Sequence, residues 1–152
     1  MWMDPSHLAR LGSDDDAVRE HRTGRGAVVL EVTVTGRWDR QLEQAVQHTV
    51  RGGLAAGVAA MIFDLHHLTD VHTQSTPTWL AVHHAARRLN PPPQLALSLP
   101  PTRQLARHLR EVGARRHLLT FSTIEQARSW VLGLSDALTV SRVEVRAAPR
   151  GT

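Results

Sequence analysis

Cysteine is missing from all 152 residues. Its absence removes disulfides, thiolate nucleophiles and cysteine zinc sites together, but leaves the compartment open, since many secreted proteins also lack it. Lysine is missing as well, so the formal charge of +4 and the pI near 11.3 rest on 18 arginines. Long apolar runs are missing too. The best stretch, Val58 to Leu65, ends at charge and falls well short of the ~18 residues of a membrane span. A soluble, cytoplasmic protein with no membrane segment is the expectation. No GxSxG elbow, P-loop, dinucleotide GxGxxG or HExxH motif occurs, so no enzyme template is met and a non-catalytic protein is expected.

The high pI raises the question of nucleic acid. The arginines are spread from Arg10 to Arg150, and the densest set is Arg103, Arg107 and Arg110 at helical spacing, followed by Arg115 and Arg116. No aromatic residue interleaves with them and no zinc-finger spacing is present, so nucleic acid is not the expected partner. A solvated helix face, or a patch for an acidic protein, fits better. Among the ten histidines, His66, His67, His72, His83 and His84 are dense in sequence. His66 and His67 would point to opposite sides of an extended chain, and His83 and His84 lie about 100° apart on a helix. A zinc site built on His72 and one other is the residual geometric option. No metal and no cofactor is expected.

At this length the chain fits one domain that buries roughly two thirds of the surface exposed when unfolded. Residues 1–16 carry no sustained period and read as a flexible lead. Ala17 to Arg22 reads as an edge strand, turning through Gly24-Arg25-Gly26 into AVVLEVTVTG, whose alternation predicts an antiparallel hairpin at a sheet margin. The period then becomes helical over Leu42, Ala45, Val46, Thr49, Val50 and Leu54, with Gly57 placed to end the helix. VAAMIFDL is an unbroken apolar run of strand length, which suits a parallel strand covered on both faces. Trp79, Val82, Ala86 and Leu89 mark a second helix that Pro91, Pro92 and Pro93 stop.

Two shorter units follow. QLALSL precedes a helix on Leu105, Leu109 and Val112, and HLLTF precedes one on Ile124, Ala127, Val131 and Leu134, where Thr123 and Gln126 would form a capping box. Strands alternating with helices predict an α/β fold around a mostly parallel sheet with right-handed crossovers. The folded unit is expected over 17–134, and the tail, 135–152, contains VSRVEVR, which either adds a strand or pairs with another chain.

In such sheets function gathers where strands end and helices begin. DLHHLTDVHTQSTPTWL, residues 64–80, is that place, and Thr73 offers a hydroxyl among the free N–H groups of a helix start. Asp64 and Asp70 read alternatively as caps, and Ser75 or Thr76 as the N-cap with Pro77 at the first helical position.

VVLEVTVTGRWDR, MIFDLHHLTDVHTQSTPTWL and LALSLPPTRQLARHLREVGARRHLLTFSTIEQA together resemble the STAS domain of anti-sigma factor antagonists, over about residues 17–134. The family's most specific segment runs from a strand ending in Asp-Leu to Asp-Ser-Ser-Gly at a helix start. Asp64-Leu65 matches the first part, and His72-Thr73-Gln74-Ser75 stands where the second would be. Gly36 and Asp39 fall on the family's Gly-x-Leu-Asp turn, and Gly113 on its helix-ending glycine. His72 replaces the family aspartate, Ser75 replaces the glycine, and Pro77 removes an N–H from the first turn.

The resemblance implies a STAS-like regulator of transcription that works by partner switching. Its partner would be an anti-sigma factor or related histidine-kinase-like ATPase, which phosphorylates the acceptor and then releases it. By position, Thr73 is the phosphoacceptor candidate, and His72, Thr73, Gln74, Ser75, Thr76 and Trp79 are the partner-binding candidates. The alternative is a degenerate STAS domain serving as a structural subunit of a larger complex without phosphorylation. Homo-oligomerisation is left open.

Overall fold

The computed structural model describes residues 27–113, 118–133 and 138–147. Strands and helices alternate: β1 (Ala27–Arg37), α1 (Arg40–Ala56), β2 (Ala60–Asp64), β3 (Leu68–Thr69), α2 (Thr76–Arg87), β4 (Gln94–Ser98), α3 (Gln104–Gly113), β5 (Leu119–Phe121), α4 (Ile124–Leu132) and β6 (Leu138–Arg146). The six strands form one sheet in which every described pairing is parallel. β1 bonds to β2, to the two-residue β3 and to β6, while β2 leads on to β4 and β4 to β5.

The helix ends follow local chemistry. Asp39 caps α1 by accepting the Leu42 N–H at 2.8 Å, and Gly57 closes it at φ 73°, its N–H donating to the Gly53 and Leu54 carbonyls. Thr123 caps α4 by accepting the Gln126 N–H at 3.1 Å. The Gln126 side chain reaches back one residue further than a capping box requires, to the Ser122 N–H. The stripe expected on α2 holds for Trp79, Val82 and Ala86, but α2 ends at Arg87, leaving Leu89 exposed beyond it. Leu134 lies outside the described residues.

Two cores flank the sheet. The larger gathers Leu30, Val32 and Val34 of β1 with Leu42 and Val46 of α1, Trp79 and Val82 of α2, and Leu105 and Leu109 of α3. The smaller sets Val29, Ala60, Ile62 and Ala96 against Ala127 and Val131 of α4. α1 lies close to the sheet because of Gly53, where a Cβ would meet Leu30 Cδ2 at 2.9 Å.

One expectation is corrected at β1. Its alternation with Glu31, Thr33 and Thr35 suggested a margin strand in an antiparallel hairpin, yet β1 is interior, with β2 on one flank and β6 on the other. Ala17 to Arg22 lie outside the described residues, and the flank of β1 they would have paired with carries β6 in parallel register from Ala27↔Leu138 to Thr35↔Arg146. The C-terminal residues 138–146 are therefore part of the sheet. The misleading signal was Glu31. It is buried because Arg128, 97 residues away on α4, donates to both carboxylate oxygens at 2.9 and 2.6 Å. That hydrogen bond also raises the Arg128 pKa above its ordinary value. A charge paired in this way can occupy a buried strand position that looks solvated in sequence.

Candidate functional site

β2 ends at Asp64, and the chain then crosses a short turn to β3 before reaching α2. Between Thr33↔Asp64 and Gly36↔Leu68 the partner strand advances four residues against three on β1, so the turn bulges outward. Arg103, just before α3, holds the bulge. Its guanidinium donates to the carbonyls of Leu65 at 3.0 Å, Leu68 at 2.8 Å and His66 at 2.5 Å. Asp64 Oδ1 lies 2.7 Å from His66 Nδ1, and His66 Nε2 lies 3.0 Å from the Ser122 carbonyl. The strand end is therefore tied to both α3 and α4 sides of the sheet.

The start of α2 is organised by Asp70. Its Oδ1 accepts the Gln74 N–H at 2.9 Å and its Oδ2 the Ser75 N–H at 2.7 Å, with the Ser75 hydroxyl donating to the same oxygen. Ser75 is the N-cap by position, but its backbone is already helical and its side chain makes no cap bond. Asp70 supplies the cap instead. Pro77 sits one residue further into the helix than expected, since Thr76 is the first helical residue. The N–H groups expected to await a phosphate are already met: Asp70 takes those of Gln74 and Ser75 just ahead of α2, and the Thr76 and Thr78 N–H groups donate to the Thr73 and Ser75 carbonyls at 3.2 and 3.0 Å.

Four hydroxyl residues lie between 73 and 78, and three face inward. Ser75, fully buried, accepts the Trp79 Nε1–H at 3.0 Å while donating to Asp70. Thr76 Oγ1 lies 3.1 Å from His108 Nδ1 on α3, and Thr78 donates to Glu43 Oε2 on α1 at 2.9 Å. Thr73 is the exception. It is half-exposed, its hydroxyl donates to the adjacent His72 carbonyl at 2.7 Å, and its φ of 55° lies in the left-handed region that a β-branched residue rarely adopts. Asp70 and Thr73 bracket the turn, with the Thr73 N–H donating to the Asp70 carbonyl at 3.3 Å.

The partner-binding candidates therefore divide. His72, Thr73 and Gln74 lie at the surface together. Ser75, Thr76 and Trp79 are buried, which corrects their placement on a contact face: Trp79 is 1% exposed and packs against Phe63 and Trp38 at ring distances of 5.3 and 5.8 Å. Its position on the apolar stripe of α2 already pointed inward.

Sequence reasoning missed Val71 beside them, which is 64% exposed. An open depression of about 330 Å³ adjoins it, lined by Leu68, Thr69, Asp70, Arg103, Gln104 and Leu105. Arg103, placed by spacing on a basic helix face, spends its guanidinium on the three carbonyls, while Arg107 and Arg110 stay exposed. Among the described residues no three His, Asp or Glu side chains gather as a metal site, and no helix is long and apolar enough to cross a membrane. Comparison of the chain with family models, curated proteins and solved structures gives no match.

Proposed function

We propose that this chain is a non-catalytic STAS-type regulator that docks a protein partner through Val71, His72, Thr73 and Gln74, in the manner of an anti-sigma factor antagonist. The observation that carries the reading is the selective exposure of Thr73. Of the hydroxyls at the start of α2 it is the one a kinase can reach, and the residues either side of it are exposed as well. The resemblance of the segment from Asp64 to Leu80 to the family's phosphorylated loop supports the same position.

Asp70 gives the switch a mechanism. A phosphate on Thr73 brings about −1.5 to −2 charge next to a turn whose other end is a carboxylate already bonded to the Gln74 and Ser75 N–H groups that lead into α2. Like-charge repulsion loosens that cap and changes the surface the partner reads. Incubation with a histidine-kinase-like anti-sigma factor from the same genome and ATP, followed by mass spectrometry, tests it. The expected product is one phosphate on Thr73. An unmodified Thr73 beside a tightly bound partner removes the switch and leaves the docking.

A second reading is favoured by the same cap. Because Asp70 and the Thr73 and Ser75 carbonyls together satisfy the helix start without any phosphate, the loop also suits a fixed contact within a larger complex, with no modification.

A further inference from the structure

β6 is bonded on one side only among the described residues. Its inner side faces β1, as the Ala147 N–H donating to the Thr35 carbonyl at 2.9 Å establishes. Backbone direction alternates along a strand, so the N–H and C=O groups of Val140, Arg142, Glu144 and Arg146 point the other way. Thr139, Ser141, Arg142, Val143, Glu144 and Arg146 are exposed. A nine-residue strand with an open edge is a template for another strand.

The side chains say which strand fits. Arg142, Glu144 and Arg146 project from one face in the order plus, minus, plus. In an antiparallel pair centred on Val143, Arg142 of one copy stands directly opposite Glu144 of the other, and Glu144 opposite Arg142. The same register brings Val140 opposite Arg146 and aligns outward N–H and C=O groups with one another, so both ladders close. Centring the pair on Arg142 or Glu144 instead sets like charges face to face. Glu144 and Arg146 already attract within one strand, which holds the Glu144 carboxyl below its ordinary pKa and keeps it ionised.

We infer that β6 is the contact of a symmetric homodimer, in which two copies of this chain join antiparallel at Val143 into one continuous sheet. The two-fold axis passes through the Val143 pair. Such an interface is isologous, each surface meeting its own copy.

Sedimentation velocity of the full chain over a range of concentrations tests this. The expected result is a species of twice the 16.8 kDa chain mass. Glu144→Arg turns both cross-pairs repulsive and is expected to weaken dimerisation by roughly tenfold or more, as is Arg142→Glu alone. An equimolar mixture of these two variants restores opposite charges in both pairs and is expected to dimerise again. Because Arg142 also lies 3.7 Å from Glu31, Glu144→Pro provides an independent variant: it removes an outward N–H and leaves the ladder to β1 intact. Circular dichroism checks that each variant folds. A wild-type monomer at every concentration overturns the proposal, as does a dimer indifferent to Glu144→Arg and Glu144→Pro. Slow amide exchange at Arg142 and Glu144 in a monomer would assign the edge to another segment of the same chain, and equally overturns it.

Discussion

α1 and α2 both begin where the chain leaves the sheet, and they begin differently. At α1 the cap is local: Asp39 reaches three residues ahead to the Leu42 N–H, and the chain turns without excess. At α2 the cap comes from Asp70, which reaches Gln74 and Ser75 and leaves Val71, His72 and Thr73 looped out between donor and acceptor. A cap drawn from a distance produces an exposed, anchored loop as a by-product. The first arrangement stabilises a helix, and the second also presents a surface.

The contrast can be broken at several depths, read by urea unfolding at fixed protein concentration. The largest effect is expected from Trp79→Ala, which removes a buried ring and the anchor of the Trp79, Ser75, Asp70 chain of bonds, costing about 3–5 kcal/mol. Next is Asp70→Ala. It strands two N–H groups and a buried hydroxyl, and about 2 kcal/mol should be lost, together with amide-exchange protection at Gln74 and Ser75. Asp39→Ala deletes one ordinary cap and should cost about 1 kcal/mol, with no change at Gln74 and Ser75. If Asp39→Ala proves costlier than Asp70→Ala, the distinction drawn between the two helix starts fails.

The smallest effect has the opposite sign. Thr73→Gly relieves a left-handed β-branched residue, worth about 1–2 kcal/mol, against about 0.5–1 kcal/mol of added chain entropy. A net gain of about 0.5 kcal/mol is expected. A loss would mean that the Thr73 side chain contributes to stability through its bond to the His72 carbonyl.

The same contrast explains what could be read in advance. Gly57 and Thr123 act on their immediate neighbours, so spacing alone located the ends they define. Val58 to Leu65 declared a covered strand because burial on both faces leaves no alternation. Glu31 could not be placed from sequence, since its burial depends on Arg128 at a separation of 97 residues. Nor could β6, because an alternating VSRVEVR states its pleat and not its neighbour.

At the site, the position of Thr73 was legible and its setting was not. Asp70, Ser75 and Thr76 are all residues that cap helices, and composition does not say which of them does so. The inward turn of Ser75, Thr76 and Thr78 depends on Trp79, His108 and Glu43, contributed by three different helices.

The most direct test of the proposed role for the loop is calorimetric titration of a histidine-kinase-like anti-sigma factor with the wild-type chain and with Thr73→Glu. Circular dichroism would show that both proteins are folded. The account predicts that the added charge beside the Asp70 cap weakens binding by at least about tenfold. Affinity unchanged within about twofold would contradict it, and would leave the loop as a fixed contact.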